Sequence, residues 1–346
     1  MRPRLVFVHG IGGPRDPEGE RVAWARALAE GMRAAGHAAA AAALVSGEAV
    51  ECAFAYYGDL FDQAQAQGAG DLGAGDPGAG ADAATDAVLA ELLVAWVEHL
   101  TEAADADELR ILDHARAEAA PRAQEQGGGQ VVRRALNVAT TVLALRPWSG
   151  AGRWITPKVM VSHLAQVARY LARGESGADG AGLDRRIRTR VAEAVGDGPA
   201  VVVAHSLGSV VALEALHEHP SSVPLFVTIG SPLTMRTAVW PRLVPQPAVV
   251  PEGVGEWLNF WDRDDVLAVR PRLERDVRGN SAGVVPQSRR VDSDGVWVHS
   301  AEKYLAQPAV AGPVAQALAR LARPVSDVDV GVDVGVDAGT DGGQPW

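Results

Sequence analysis

The chain is nearly devoid of thiols: Cys52 is the single cysteine among 346 residues. That excludes an intramolecular disulfide and a thiolate zinc cage. Cys52 lies in the apolar run "VECAFAYY" (50–57) and reads as a small buried hydrophobe. Long apolar runs are also missing. No stretch reaches the roughly twenty apolar residues that a membrane-spanning helix needs, so none is expected. The opening "MRPRLVFVHG" has too short an apolar run for a secretory signal, and no small-residue cleavage site follows it. The expected location is therefore the cytoplasm. Positive charge is in deficit, with 32 Lys and Arg against 43 Asp and Glu and a formal net charge of −11. Five of those acids fall in the last twenty residues, where no Lys or Arg occurs, so the rest of the chain is only mildly acidic. No nucleic-acid-binding surface is expected from such a balance.

Apolar residues, by contrast, are plentiful. Hydrophobic residues make up 47% and charged residues 22%, which is enough for a substantial core. The length suits one large α/β domain or two ordinary ones. Apolar runs and helical periods alternate along the chain, which predicts a parallel sheet covered on both faces. Strands are expected at "LVFVHG" (5–10), "AVECAFAYYGDL" (49–60), "PAVVVAHS" (199–206), "VPLFVTIGSP" (223–232) and "GEWLNFWD" (255–262). Helices are expected at 18–36, with Gly36 as the stop, and at 208–219.

Residues 62–182 are of a different kind. Three Gly-rich joints, at 68–80, 127–129 and 174–182, separate segments of helical period such as 84–104 and 131–148. They read as a helical insertion in an α/β frame. The last segment, 325–346, repeats Val-Asp-Val-Gly units without the apolar surface needed to offset chain entropy, and is expected to be a low-complexity acidic tail without stable fold. Its Gly and Asp spacing does not fit a calcium-binding nonapeptide repeat.

Chemistry concentrates in "VVVAHSLGSVVALEAL" (201–216). Ser206 stands between a buried strand and a helix, with Ala204 two residues before it and Gly208 two after. Such a tight strand–turn–helix needs small residues at both flanks, so that the backbones can approach and lift the hydroxyl above the sheet. The helix N-terminus that follows favours negative charge beside it. The competing reading, a serine that merely caps the 208–219 helix, does not need both small neighbours.

With this motif the chain resembles the α/β-hydrolase superfamily of lipases and esterases, over residues 4–60 and about 196–322. Ala204 replaces the first Gly of the usual G-x-S-x-G pattern and still meets its size limit. The resemblance implies the order Ser, acid, His along the chain. The strand 256–262 runs into "RDDVLAV" (263–269), where Asp265 before an apolar pair fits best as the acid, with Asp262 and Asp264 as competitors. His299, in "GVWVHSAEKYL", is the histidine in the right order and sits between an apolar run and a helix. His217 and His219 fall about three helical turns from Ser206, where they should point away as surface residues. His205 is expected to pack beside the elbow, and Ser231 to be a loop residue near the site.

"FVHGIGGP" (7–14) could in principle cradle a phosphate. The Lys of a P-loop is missing, however, and Arg15, Asp16 and Pro17 stand where a dinucleotide fingerprint needs its third glycine. The resemblance instead places one oxyanion-hole N–H at Ile11, with Gly12 as the alternative, and the second at Leu207. One such donor typically contributes about 3 kcal/mol to the transition state. His9 is expected to brace this loop.

The fold expected from the resemblance is an abridged, mostly parallel α/β-hydrolase sheet. It lacks the two strands that normally precede the oxyanion loop and carries a large helical cap inserted at about 62–182, within a domain spanning 1–324. Trp96, Trp148 and Trp154 are candidates for an apolar entrance under that cap, with ordinary helix packing as the competing reading. The activity implied is that of a serine hydrolase cleaving a carboxylic ester, with a small-molecule acyl ester or lipid-like substrate and no cofactor or metal. An acyltransferase or thioesterase using the same residues, and a non-catalytic binding protein on the same fold, are the alternatives.

Overall fold

The computed structural model describes residues 2–11, 16–62, 83–101, 106–119, 128–143, 156–177, 180–263, 265, 268, 272–293 and 298–323. The acidic tail, Asp264, Trp148 and Trp154 lie outside the described residues. Among the described residues six strands form one sheet: β1 (Arg4–Val8), β2 (Glu51–Ala55), β3 (Ala200–His205), β4 (Leu225–Ile229), β5 (Trp257–Asp262) and β6 (Pro286–Val291). Their order is β2-β1-β3-β4-β5-β6 and every neighbouring pair is parallel.

A parallel sheet must be covered on both faces, and the strands supply apolar side chains to each in alternation. Leu5, Phe7, Val201, Val203, Leu225, Val227, Leu258 and Phe260 share one core with Trp24, Leu28 and Met32 of α1 (Pro17–Ala34) and Val310 and Val314 of α10 (Pro308–Ala322). Val6, Val8, Val202, Ala204 and Phe226 face the opposite core, with Val210 and Val211 of α8 (Leu207–Glu218) and Ile187 and Val191 of α7 (Leu183–Val195).

Local signals set the first helix. Asp16 accepts from the N–H of Glu18 at 3.1 Å, and Pro17 opens the helix where its missing N–H costs nothing. At the other end Gly36, at φ +85°, allows the N–H of His37 to close on the Met32 carbonyl at 2.8 Å. A second helix, α2 (Ala38–Ser46), follows at once and has no counterpart in the expected pattern. Its run of alanines forms helix readily yet carries no polar–apolar alternation to betray it. β6 was also unexpected. It is an edge strand that exposes Arg289 and begins at Pro286, so it lacks the apolar run of a buried strand.

Between β2 and β3 lie α3 (Ala83–Thr101), α4 (Ala106–Ala119), α5 (Gly128–Leu143) and α6 (Pro157–Ala172). α3 packs on α4, α5 and α6, and Trp96 is fully buried within this group. Trp96 is therefore packing core rather than part of an entrance. A buried charge cluster fastens the group to α8. Glu214, 1% exposed, accepts from Tyr170 Oη at 2.7 Å, Arg173 Nη2 at 2.7 Å and the N–H of Val244 at 3.0 Å. Arg173 also reaches Asp184 at 3.1 Å, and Arg188 of α7 pairs with the same carboxylate at 2.8 Å. Among the described residues no helix is long and apolar enough to cross a membrane.

Candidate active site

β3 ends by turning sharply into α8, and Ser206 occupies the turn with φ 53° and ψ −131°. A non-glycine residue held there costs about 1–3 kcal/mol, and neighbouring contacts must impose it. The Ser206 N–H reaches the Ile229 carbonyl at 3.1 Å. Its own carbonyl accepts the N–H of Ser209 at 2.9 Å and the Ser209 hydroxyl at 2.6 Å. With that proton committed, Ser231 must donate to Ser209 across their 2.6 Å contact, while taking the N–H of Leu233 at 3.3 Å. Ser206 itself makes no side-chain capping bond to α8, so its hydroxyl is not a helix cap.

Glycines bring the opening loop onto this turn. A Cβ on Gly208 would stand 2.2 Å from the His9 carbonyl oxygen, and one on Gly10 would stand 2.7 Å from Ser206 Cβ. Only side-chain-free positions permit that approach. His9 braces the same loop: its Nε2 accepts the N–H of Tyr57 at 3.0 Å, and its carbonyl accepts the Tyr57 hydroxyl at 2.6 Å. The ring therefore carries its proton on Nδ1. Ile11 directly follows Gly10 in the loop that meets this turn, and Leu207 directly follows Ser206; Gly12 lies outside the described residues.

His299 arrives from beyond β6. Its Nε2 is 3.0 Å from Ser206 Oγ, and its Nδ1 is 2.8 Å and 2.9 Å from the two oxygens of Asp265. Both side chains are buried, Asp265 completely. Asp265 Oδ1 also accepts the N–H of Ala268 at 3.2 Å. The structure thus joins Ser206, His299 and Asp265 in one hydrogen-bonded chain. Asp262 stands apart from that chain, because its carboxylate takes the Ser293 N–H at 2.5 Å and hydroxyl at 2.6 Å, tying the end of β5 to the exit of β6.

Residues 180–267, which carry α7, β3, Ser206, α8, β4, β5 and Asp265, match a family model described as the alpha/beta hydrolase fold. Over that segment the chain is similar to the alpha/beta hydrolase superfamily. Comparison with curated proteins and with solved structures found no match.

Within this hydrolase fold the remaining histidines separate by position. His205 donates from Nε2 to the His299 carbonyl at 2.9 Å, and the two rings lie 4.7 Å apart. It steadies the backbone that carries His299. His217 is half-buried rather than a surface residue, bonded to the Val249 carbonyl at 2.9 Å, and burial holds its pKa below the ordinary histidine value. His219 is exposed. A cavity of about 250 Å³ opens beside the hydrogen-bonded chain, between Ile11, Trp24, His205, His299, Glu302 and His163 of α6.

Two neighbours of the site escaped the sequence reading. Tyr304, on α9 (Ala301–Leu305), donates to Asp265 Oδ2 at 2.7 Å. Gly230, at φ +55°, lies so close that an added Cβ would come within 3.1 Å of Asp265 Oδ2 and 3.3 Å of the His299 ring. The only sequence signal for Tyr304 is its place five residues past His299, in the short helix that follows it. Gly230 gave none beyond its position at the end of a strand.

Proposed function

We propose that the protein is a serine hydrolase that cleaves a carboxylic ester through an acyl-enzyme on Ser206. The observation that carries this reading is the continuous path from Ser206 Oγ through the His299 ring to Asp265, with heavy-atom separations of 3.0 Å and 2.8 Å. In the proposed cycle Ser206 Oγ attacks the ester carbonyl carbon while His299 Nε2 takes the hydroxyl proton. Asp265 holds the Nδ1–H tautomer and stabilises the imidazolium. The backbone N–H groups of Ile11 and Leu207 receive the developing oxyanion. Collapse of the tetrahedral intermediate expels the alcohol, which takes the proton from His299. Water then enters, loses a proton to the same nitrogen and releases the acid.

The helical insertion at about 62–182 is the cap of this site. His163 of α6 supports that assignment, since it lines the cavity beside His299. Esters of graded acyl length, assayed with wild type and Ser206→Ala, test the function. Turnover by wild type with a loss of at least about a thousandfold in the variant is expected. Equal rates for the two proteins would refute the assignment of Ser206.

A further inference from the structure

We infer that Tyr304 is a positioning residue for the His299–Asp265 pair: its hydroxyl aligns the Asp265 carboxylate with the imidazole and moderates how tightly that carboxylate keeps a proton on His299. The inference rests on the serine hydrolase reading for its catalytic consequence, but not for its physical content.

A tyrosine hydroxyl has one proton to give and lone pairs to receive. The N–H of Asp262 donates to Tyr304 Oη at 3.0 Å. Asp265 Oδ2 lies 2.7 Å from the same oxygen, and a carboxylate can only accept. The Tyr304 proton is therefore directed at Asp265. The same Oδ2 faces His299 Nδ1 at 2.8 Å, so two donors converge on one carboxylate oxygen. Burial, and then the charge of Asp265, push the Tyr304 phenol well above its ordinary value, which keeps it a donor.

The ring is held independently of this bond. Tyr304 is completely buried on α9, packed in the core that also contains Leu28 and Met32 of α1. Phenylalanine would fill that volume, so the hydroxyl alone is at issue. The other groups around His299 include Ser206 at Nε2, the His205 ring 4.7 Å away, and Glu302 and His163 of α6 on the cavity wall; Asp262 stands on the far side of the Tyr304 hydroxyl. A donor withdrawn from a carboxylate leaves its charge less compensated, so an imidazolium beside it is held more firmly. Removing the hydroxyl should then keep His299 protonated to higher pH and make it less available as a base.

The test is an NMR titration of the His299 ring in wild type and Tyr304→Phe, assigned among the nine histidines with His299→Gln. It is paired with the pH profile of kcat/KM for p-nitrophenyl acetate. In Tyr304→Phe the titration midpoint and the acid limb should both move up by about one pH unit. On the acid limb, below the wild-type midpoint, kcat/KM should fall about tenfold. Ser293→Ala, which loosens the same loop through Asp262 without touching Asp265, serves as the control: it should lower the melting temperature and leave the midpoint in place. A Tyr304→Phe midpoint equal to wild type, or an equal shift in Ser293→Ala, would overturn the inference.

If Tyr304→Phe does not fold, replacing the four tyrosines with 3-fluorotyrosine keeps every hydroxyl and strengthens its donation. The midpoint should then move to lower pH, and an unmoved midpoint would overturn the inference. The ring titration needs no turnover, so inactivity of wild type towards esters would count against the hydrolase reading alone.

Discussion

Gly208 lies directly beneath the carbonyl of His9, so close that a methyl group on its Cα would stand 2.2 Å from that oxygen. This contact joins the two halves of the candidate site. One side is the loop leaving β1, which carries Gly10 and Ile11; the other is the first turn of α8, which carries Ser206 and Leu207. The approach is backbone against backbone, so neither partner can relieve a clash by changing rotamer. Gly208→Ala should therefore destabilise the fold by about 1–3 kcal/mol through overpacking. The loop should also move away from Ser206 and slow acylation. Thermal melts and single-turnover kinetics measure the two effects, and wild-type values in both would show that the contact is not needed.

Asp265 and Asp262 are separated by two residues and differ sharply in use. Asp265→Asn should reduce kcat by about 10⁴-fold, since an amide no longer holds the required imidazole tautomer. Asp262→Asn weakens the two bonds from Ser293 and should cost about 1–3 kcal/mol of stability. Its turnover should stay within about tenfold of wild type, because that carboxylate is engaged by Ser293 while Asp265 accepts from His299. Steady-state kinetics on the two variants settle which carboxylate serves His299. A reversal of the two effects would transfer the role to Asp262.

His217 gives a pH signature away from the site. Burial disfavours its protonated form, so the folded chain binds that proton less readily than the unfolded chain. Its contribution to stability is full above the ordinary histidine value of about 6.5, and is lost as pH falls through that value towards the lower folded one. His217→Gln can still donate to the Val249 carbonyl but does not titrate. Denaturant unfolding at pH 8 and pH 5.5 should therefore show a smaller acid-side loss in the variant. An identical loss in both proteins would contradict this.

The fold was legible in sequence where structure is local. The elbow could be read because Ala204, Ser206 and Gly208 stand between a β-branched run and a helix, and the steric demand lies within five residues. The strands at 5–10 and 49–60 were found but drawn too long, since the aromatic Tyr56 and Tyr57 extend the apolar pattern of β2, and His9 and Gly10 follow β1 without a turn signal of their own. α2 was hidden by its alanines. β6 was hidden by its charged face at the sheet edge. Gly230 meets Asp265 only because β4 and β5 lie side by side, Tyr304 reaches the same carboxylate from α9 beyond β6, and no spacing along the chain encodes that meeting. The order implied by the resemblance made His299 a candidate and left Asp265 with Asp262 and Asp264 as competitors; the shared geometry of Ser206, His299 and Asp265 belongs to the fold.

The central claim is that Ser206 is a nucleophile, and the most direct measurement is the site of a covalent fluorophosphonate adduct on the intact protein. Peptide mass spectrometry should locate one adduct, on Ser206. Its rate of formation should fall to background in His299→Ala. No adduct under conditions that label a control esterase, or an adduct that persists in Ser206→Ala, would contradict the account.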